Sequence, residues 1–117
     1  MNIEEFRNFC IQKAGVTEET PFGPDTLVFK VMGKLFALTD LNTFASINLK
    51  CDPELAITLR EEYTCVKPGY HMNKKHWNTV IVDHSIADSL LKEWIYHSYN
   101  LVAAKLTKKE KEALKNE

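Results

Sequence analysis

The chain has 117 residues, 44% of them hydrophobic, which suits one domain with a modest core. Lys and Arg total 15 against 16 Asp and Glu, so a formal charge of −1 excludes a protein that coats nucleic acid by bulk charge alone. Cys10, Cys51 and Cys65 lack CxxC spacing, and no secretory leader or membrane-length apolar run is present, so the expectation is a cytoplasmic monomer with no membrane partner and no cofactor.

Asn2 is placed to cap a first helix whose opening turn carries Glu4 and Glu5, where carboxylates suit the positive end of the dipole. Ile3, Phe6, Cys10 and Ala14 recur at helical spacing, and Gly15 reads as the residue just past the helix end. Thr20-Pro21-Phe22-Gly23-Pro24-Asp25 is punctuation. Leu27 to Met32 reads as a strand with Leu27, Phe29 and Val31 on one face and Lys30 on the other. Gly33-Lys34 fits a two-residue hairpin turn, and Leu35 to Thr39 runs back. After a turn at Asp40 to Thr43, Phe44 to Leu49 makes a third strand with Ala45, Ile47 and Leu49 inward.

Asp52-Pro53 pairs an N-cap with proline at the first helical position. Leu55, Ala56 and Leu59 supply that helix's buried stripe, leaving Glu54, Arg60, Glu61 and Glu62 in water, and it ends near Tyr63. Thr64-Cys65-Val66 begins a short strand, and Trp77 to Val82 is its partner. Ser85 is the expected cap of a last long helix, with Ala87, Leu90, Leu91, Trp94, Ile95, Ser98, Leu101 and Val102 as one apolar stripe and Tyr96 exposed. Residues 105–117 read as a short charged helix or tail beyond a single domain over 1–104. The order is α-β-β-β-α-β-β-α, an α+β fold of two layers with the helices on one face of an antiparallel sheet and the other face open.

Between the last two strands runs Lys67-Pro68-Gly69-Tyr70-His71-Met72-Asn73-Lys74-Lys75-His76-Trp77, a loop with three lysines and no acid. This string, the Thr20-Pro21-Phe22-Gly23 turn, the chain length and the order of elements resemble the MmcQ/YjbR family over nearly the whole chain. The resemblance implies a CyaY-like, secretion-chaperone-like fold. It also implies DNA binding through a double-wing arrangement, with no catalytic activity attached. The wings correspond here to the hairpin around Gly33-Lys34 and the loop around Asn73-Lys74-Lys75.

Lys30, Lys34, Lys67, Lys74 and Lys75 are therefore the candidate phosphate contacts, each releasing counterions when it meets the backbone of DNA. Tyr70 and Trp77 could stack on unpaired bases, Asn73 could bond a base edge, and His71 and His76 complete the candidate interface. His71 and His76, with Cys65 and His84, do not reach the compact ligand spacing of a zinc site, and no metal is expected. Cys65 lies near histidines in sequence, yet no third group is positioned to orient a base, and no Gly-rich phosphate loop is present, so no enzyme is expected. The competing reading is a protein-interaction module that uses the open sheet face and the Tyr70–Trp77 loop.

Overall fold

The structure, a computed structural model, describes residues 1–116. Helix α1 spans Ile3–Ile11 and closes a full capping box, with Asn2 accepting from the Glu5 amide and Glu5 returning to the Asn2 amide. Six strands follow the order β1-β2-β3-β4-β6-β5, all antiparallel. They are β1 (Val16–Glu19), β2 (Thr26–Val31), β3 (Lys34–Asp40), β4 (Ser46–Lys50), β5 (Val66–Pro68) and β6 (Trp77–Ile81). Helix α2 (Pro53–Glu62) sits between β4 and β5, and α3 (Asp88–Ala104) and α4 (Lys108–Lys115) end the described chain. The fold is α+β in two layers, as the sequence implies. The differences are local.

Strand β1 is not foreseen, because Val16-Thr17-Glu18-Glu19 carries too little apolar alternation to stand out from a loop. It becomes a strand by pairing with β2, with Val16 opposite Val31 and Glu19 opposite Val28. The β2–β3 turn is Met32-Gly33, one residue earlier than expected, and Lys34 pairs with Val31 as the first residue of β3. Both turn residues have positive φ, 48° and 80°, which a two-residue hairpin twisted with its strands demands. Strand β4 begins at Ser46 because Phe44 adopts φ 46° and swings its ring onto Phe6, at 5.5 Å, leaving Ala45 exposed rather than inward. Helix α3 starts at Asp88 with exposed Ala87 as cap and no side-chain cap hydrogen bond, while Ser85 stands outside it in a turn where its amide donates to Asp83 Oδ1.

Leu27, Phe29 and Val31 face the helices together with Ala37, Ile47, Leu49, Val66 and Val80, and all lie in one core with Phe6, Ala56, Leu91, Trp94 and Ile95. Phe6 meets Phe29 edge-on at 5.4 Å, and Phe36 meets Tyr99 the same way at 5.5 Å. Leu106 is buried in this core and Leu114 packs against it, which docks the charged last segment as helix α4.

One polar contact stands inside the core. The register of β2 against β3 shifts at Phe29/Lys30, which leaves Phe36 outside the pairing with β2. The fully buried hydroxyl of Ser98 donates to the Phe36 carbonyl at 2.5 Å and accepts from the Lys50 amide at 2.9 Å. It bridges β3 and β4 where their ladder stops at Ala37 and Leu49. Ser98→Ala strands the buried Phe36 carbonyl and the part-buried Lys50 amide and should cost about 2–6 kcal/mol, at roughly 1–3 per orphan group. Chemical denaturation of the variant, read as a shift of midpoint at constant m, checks this.

Candidate nucleic-acid interface

Strand directions decide where the two wings lie. The β2–β3 turn is at the end of the sheet where β3 begins, and β4, antiparallel to β3, ends there at Lys50. Lys50 pairs with Trp77, the first residue of β6, and Pro68 at the end of β5 pairs with Asn78. The hairpin tip and the loop 69–76 therefore project from the same end of the sheet. Helix α3 delivers its C-terminus, Val102 and Lys105, to this end as well. Lys34, Leu35, Lys50, Trp77, Val102 and Lys105 line one open groove between the hairpin and the loop's base.

The loop is held rigidly by its own sequence. Gly69 is required by contact, since a Cβ there would sit 2.7 Å from Trp77 Cβ and 2.9 Å from the Trp77 carbonyl. The Gly69 amide donates to that carbonyl at 2.9 Å, and Tyr70 N–H donates to Thr79 Oγ1 at 2.8 Å. Asn73 Oδ1 accepts from the Lys75 amide at 2.9 Å, a local turn that aims Lys75 outward. Arg60, expected in water, is half-buried and clamps the loop from α2. Its guanidinium donates to Asn78 Oδ1 at 2.7 Å, to the Trp77 carbonyl at 3.2 Å and to the Lys74 carbonyl. The Lys74 ammonium turns back onto the Gly69 carbonyl at 3.2 Å.

The candidate residues divide accordingly. Lys34, Lys67, Lys74 and Lys75 are exposed, and none forms a close ion pair among the described residues, although Glu110 of α4 lies near enough to Lys34 to feel its charge. Lys30 lies near the hairpin tip, opposite Leu35, but its ammonium pairs with Glu19 of β1 at 3.5 Å. Tyr70, His71 and Asn73 are exposed and His76 is half-buried. Trp77 is buried, with Gly69 against its Cβ and carbonyl, and reaches the surface only as part of the lysine groove's wall. Little of it is exposed, which counts against its assignment as a base-stacking residue. Lys50 and Lys105 join the basic end although nothing in the sequence groups them with it. Only the register of β4 and the length of α3 bring them there.

A second groove crosses the open face of the sheet. Phe22 and Tyr70 are exposed at its edges, 70% and 68% accessible, with His71 and Met72 beside Tyr70 and with Leu35, Leu38 and Asn48 among its walls. Leu35 lines both grooves and is their one shared wall residue. Burial pushes the thiol of Cys10 up to about 12 and that of Cys51 up to about 11, so both are protonated at neutral pH and are weak nucleophiles. Among the described residues, no group of three or more His, Cys, Asp or Glu is arranged to hold a metal ion, and no helix is long and apolar enough to cross a membrane.

Comparison with known proteins agrees with this architecture. The chain is 43% identical to YbdF of Escherichia coli O157:H7 over 96 residues, covering 81% of this chain and 79% of that protein. It is 34% identical to YjbR of Escherichia coli K12 over 115 residues, 97% of each chain. The crystal structure of Deinococcus radiodurans protein DR2400 superposes with a TM-score of 0.89 at 39% identity, covering 97% of this chain and 87% of that one. A Pseudomonas syringae protein of solved structure follows at a TM-score of 0.73 and 29% identity, covering 87% and 99%. The YjbR family model matches residues 11–101, the span from the end of α1 through most of α3. The chain belongs to the YjbR family.

Proposed function

We propose that this protein binds nucleic acid, without catalysis, through the lysine-rich end of its sheet. One observation carries the reading: a chain of net charge −1 collects Lys34, Lys50 and Lys105 from three separate segments around one groove with no acidic residue in its wall, with Lys75 in the loop at the same end of the fold. Such asymmetry against the mean charge is what phosphate recognition needs. The binding partner is DNA, contacted with low sequence specificity. The protein acts as a cytoplasmic monomer, a setting that suits its three free cysteines.

A salt titration with a short labelled duplex tests this. Four phosphate contacts give a log-log slope of about −3.6, so affinity should fall roughly 100-fold between about 50 and 200 mM salt. A flat salt dependence, or no binding at about 50 mM salt, discards the reading. The exposed Phe22 and Tyr70 favour a second one, in which a protein segment lies in the open-face groove. Its affinity would rest on apolar burial and change little over the same salt range.

A further inference from the structure

We infer that the open-face groove receives the base of an unpaired nucleotide whose phosphates lie on the lysine end, which makes single-stranded nucleic acid the preferred ligand. This rests on the phosphate-binding reading above and adds to it the class of strand. The two grooves adjoin across Leu35, so a strand lying along the lysines has the second groove on the other side of one side chain. Tyr70 stands there on a prepared base. Its ring lies 4.1 Å from that of His71, whose backbone is held in the left-handed region at φ 58°. A single strand offers bases free to stack on such exposed rings, whereas a duplex keeps its bases stacked inside the helix.

The polar floor fits a base edge. Thr79 Oγ1 accepts the Tyr70 amide and donates its one proton to Asn48 Oδ1. That contact sets the orientation of the Asn48 amide, and its Nδ2 donors have no protein partner among the described residues. They are left for an acceptor such as a base carbonyl or ring nitrogen. Asp40 also lines the groove, its Oδ1 already accepting from the amides of Asn42 and Thr43. Its charge repels a phosphate and leaves the groove to the uncharged base. Charge thus sorts the two parts of a nucleotide between the two grooves.

The experiment compares a labelled single strand with its duplex in anisotropy titrations of the full chain, wild type beside Tyr70→Ala, Tyr70→Phe and Phe22→Ala. Both aromatic side chains are exposed, so the variants should fold, and their denaturation midpoints confirm it. Wild type should prefer the single strand by about tenfold or more, within the range a stacked base contributes. Tyr70→Ala should lose most of that preference and Tyr70→Phe should keep it. Equal affinity for both strands, with the steep salt slope retained and no effect of Tyr70→Ala, overturns the inference and leaves the phosphate reading standing. Binding of neither strand at about 50 mM salt removes both. Unchanged nucleic-acid affinities in Tyr70→Ala and Phe22→Ala, with loss of a nuclease-resistant protein partner in both, would make the groove a protein-docking surface and overturn it too.

Discussion

Lys34→Glu combined with Lys75→Glu should abolish binding to duplex and single strand alike at physiological salt, while the thermal midpoint stays within a few degrees of wild type. The two residues come from opposite wings, are exposed and form no close ion pair among the described residues. The longer-range attraction of Lys34 to Glu110 is solvent-screened, so neither holds the fold together. Lys74 is the poorer choice despite its position beside Lys75. Its ammonium braces the Gly69 carbonyl and its own carbonyl receives Arg60, so reversing its charge would confound lost contact with a loosened loop. Removing two phosphate contacts also lowers the log-log salt slope by about 1.8, at about 0.9 each. Lys92→Glu with Lys115→Glu is the control, since it makes the same change of net charge elsewhere. Lys92 lies over the Phe9 ring on the helical layer, and Lys115 is in the last turn of α4. Equal losses from both pairs would mean that net charge rather than the sheet end governs binding.

Much of this surface could be read from the sequence because its parts are contiguous there. Lys67, Tyr70, His71, Asn73, Lys74 and Lys75 lie within one acid-free loop, and Pro68-Gly69 announces the turn that presents them. Lys50 and Lys105 were out of reach, because a lysine at a strand end or past a helix end looks like any other. Their grouping depends on register: Lys50 comes beside Trp77 only once β4 pairs with β6. Trp77 was misread for a related reason. An aromatic residue at a loop boundary is either a lip or a lid support, and the distinction is the approach of Gly69, which no local pattern encodes. Arg60 lies on the polar side of its helix by periodicity, yet a long guanidinium reaches three acceptors that the helix's own pattern says nothing about.

The fold itself was more legible, since the apolar stripe of α3 and the alternation in β2 are strong periodic signals. What failed were the boundaries set by tertiary contact. Ser85 is a good cap by type, but it sits in a turn closed by Asp83, and the helix begins two residues later than a cap there would place it. Met32 in the hairpin turn has no propensity for positive φ. Its amide is instead engaged by the Gly15 carbonyl, which ties the turn to the segment entering β1.

Trp94→Ala should cost about 3–5 kcal/mol, a large fraction of the 5–15 kcal/mol typical of a domain. Trp94 is 9% exposed at the middle of the α3 stripe and stacks edge-on against Tyr63 at 5.1 Å, with Leu49, Leu59, Val66 and Val80 around the same small cavity. Truncation therefore empties the space where α3, α2 and three strands meet, and the backbone on either side is tied into helix and sheet and cannot collapse to fill it. The consequence reaches the candidate site. Ser98 lies one turn further along α3 and carries the bridge between Lys50 and Phe36, so a helix that loses its anchor at Trp94 also loses the hydroxyl that sets the strand ends beneath the lysine groove. Urea titration should show the lower midpoint, and nucleic-acid affinity measured below the transition should fall with it. Trp94→Phe, which keeps a ring against Tyr63, should recover more than half of both. An unchanged midpoint in Trp94→Ala would refute the packing of α3 on the sheet, and with it the placement of Lys105 at the basic end.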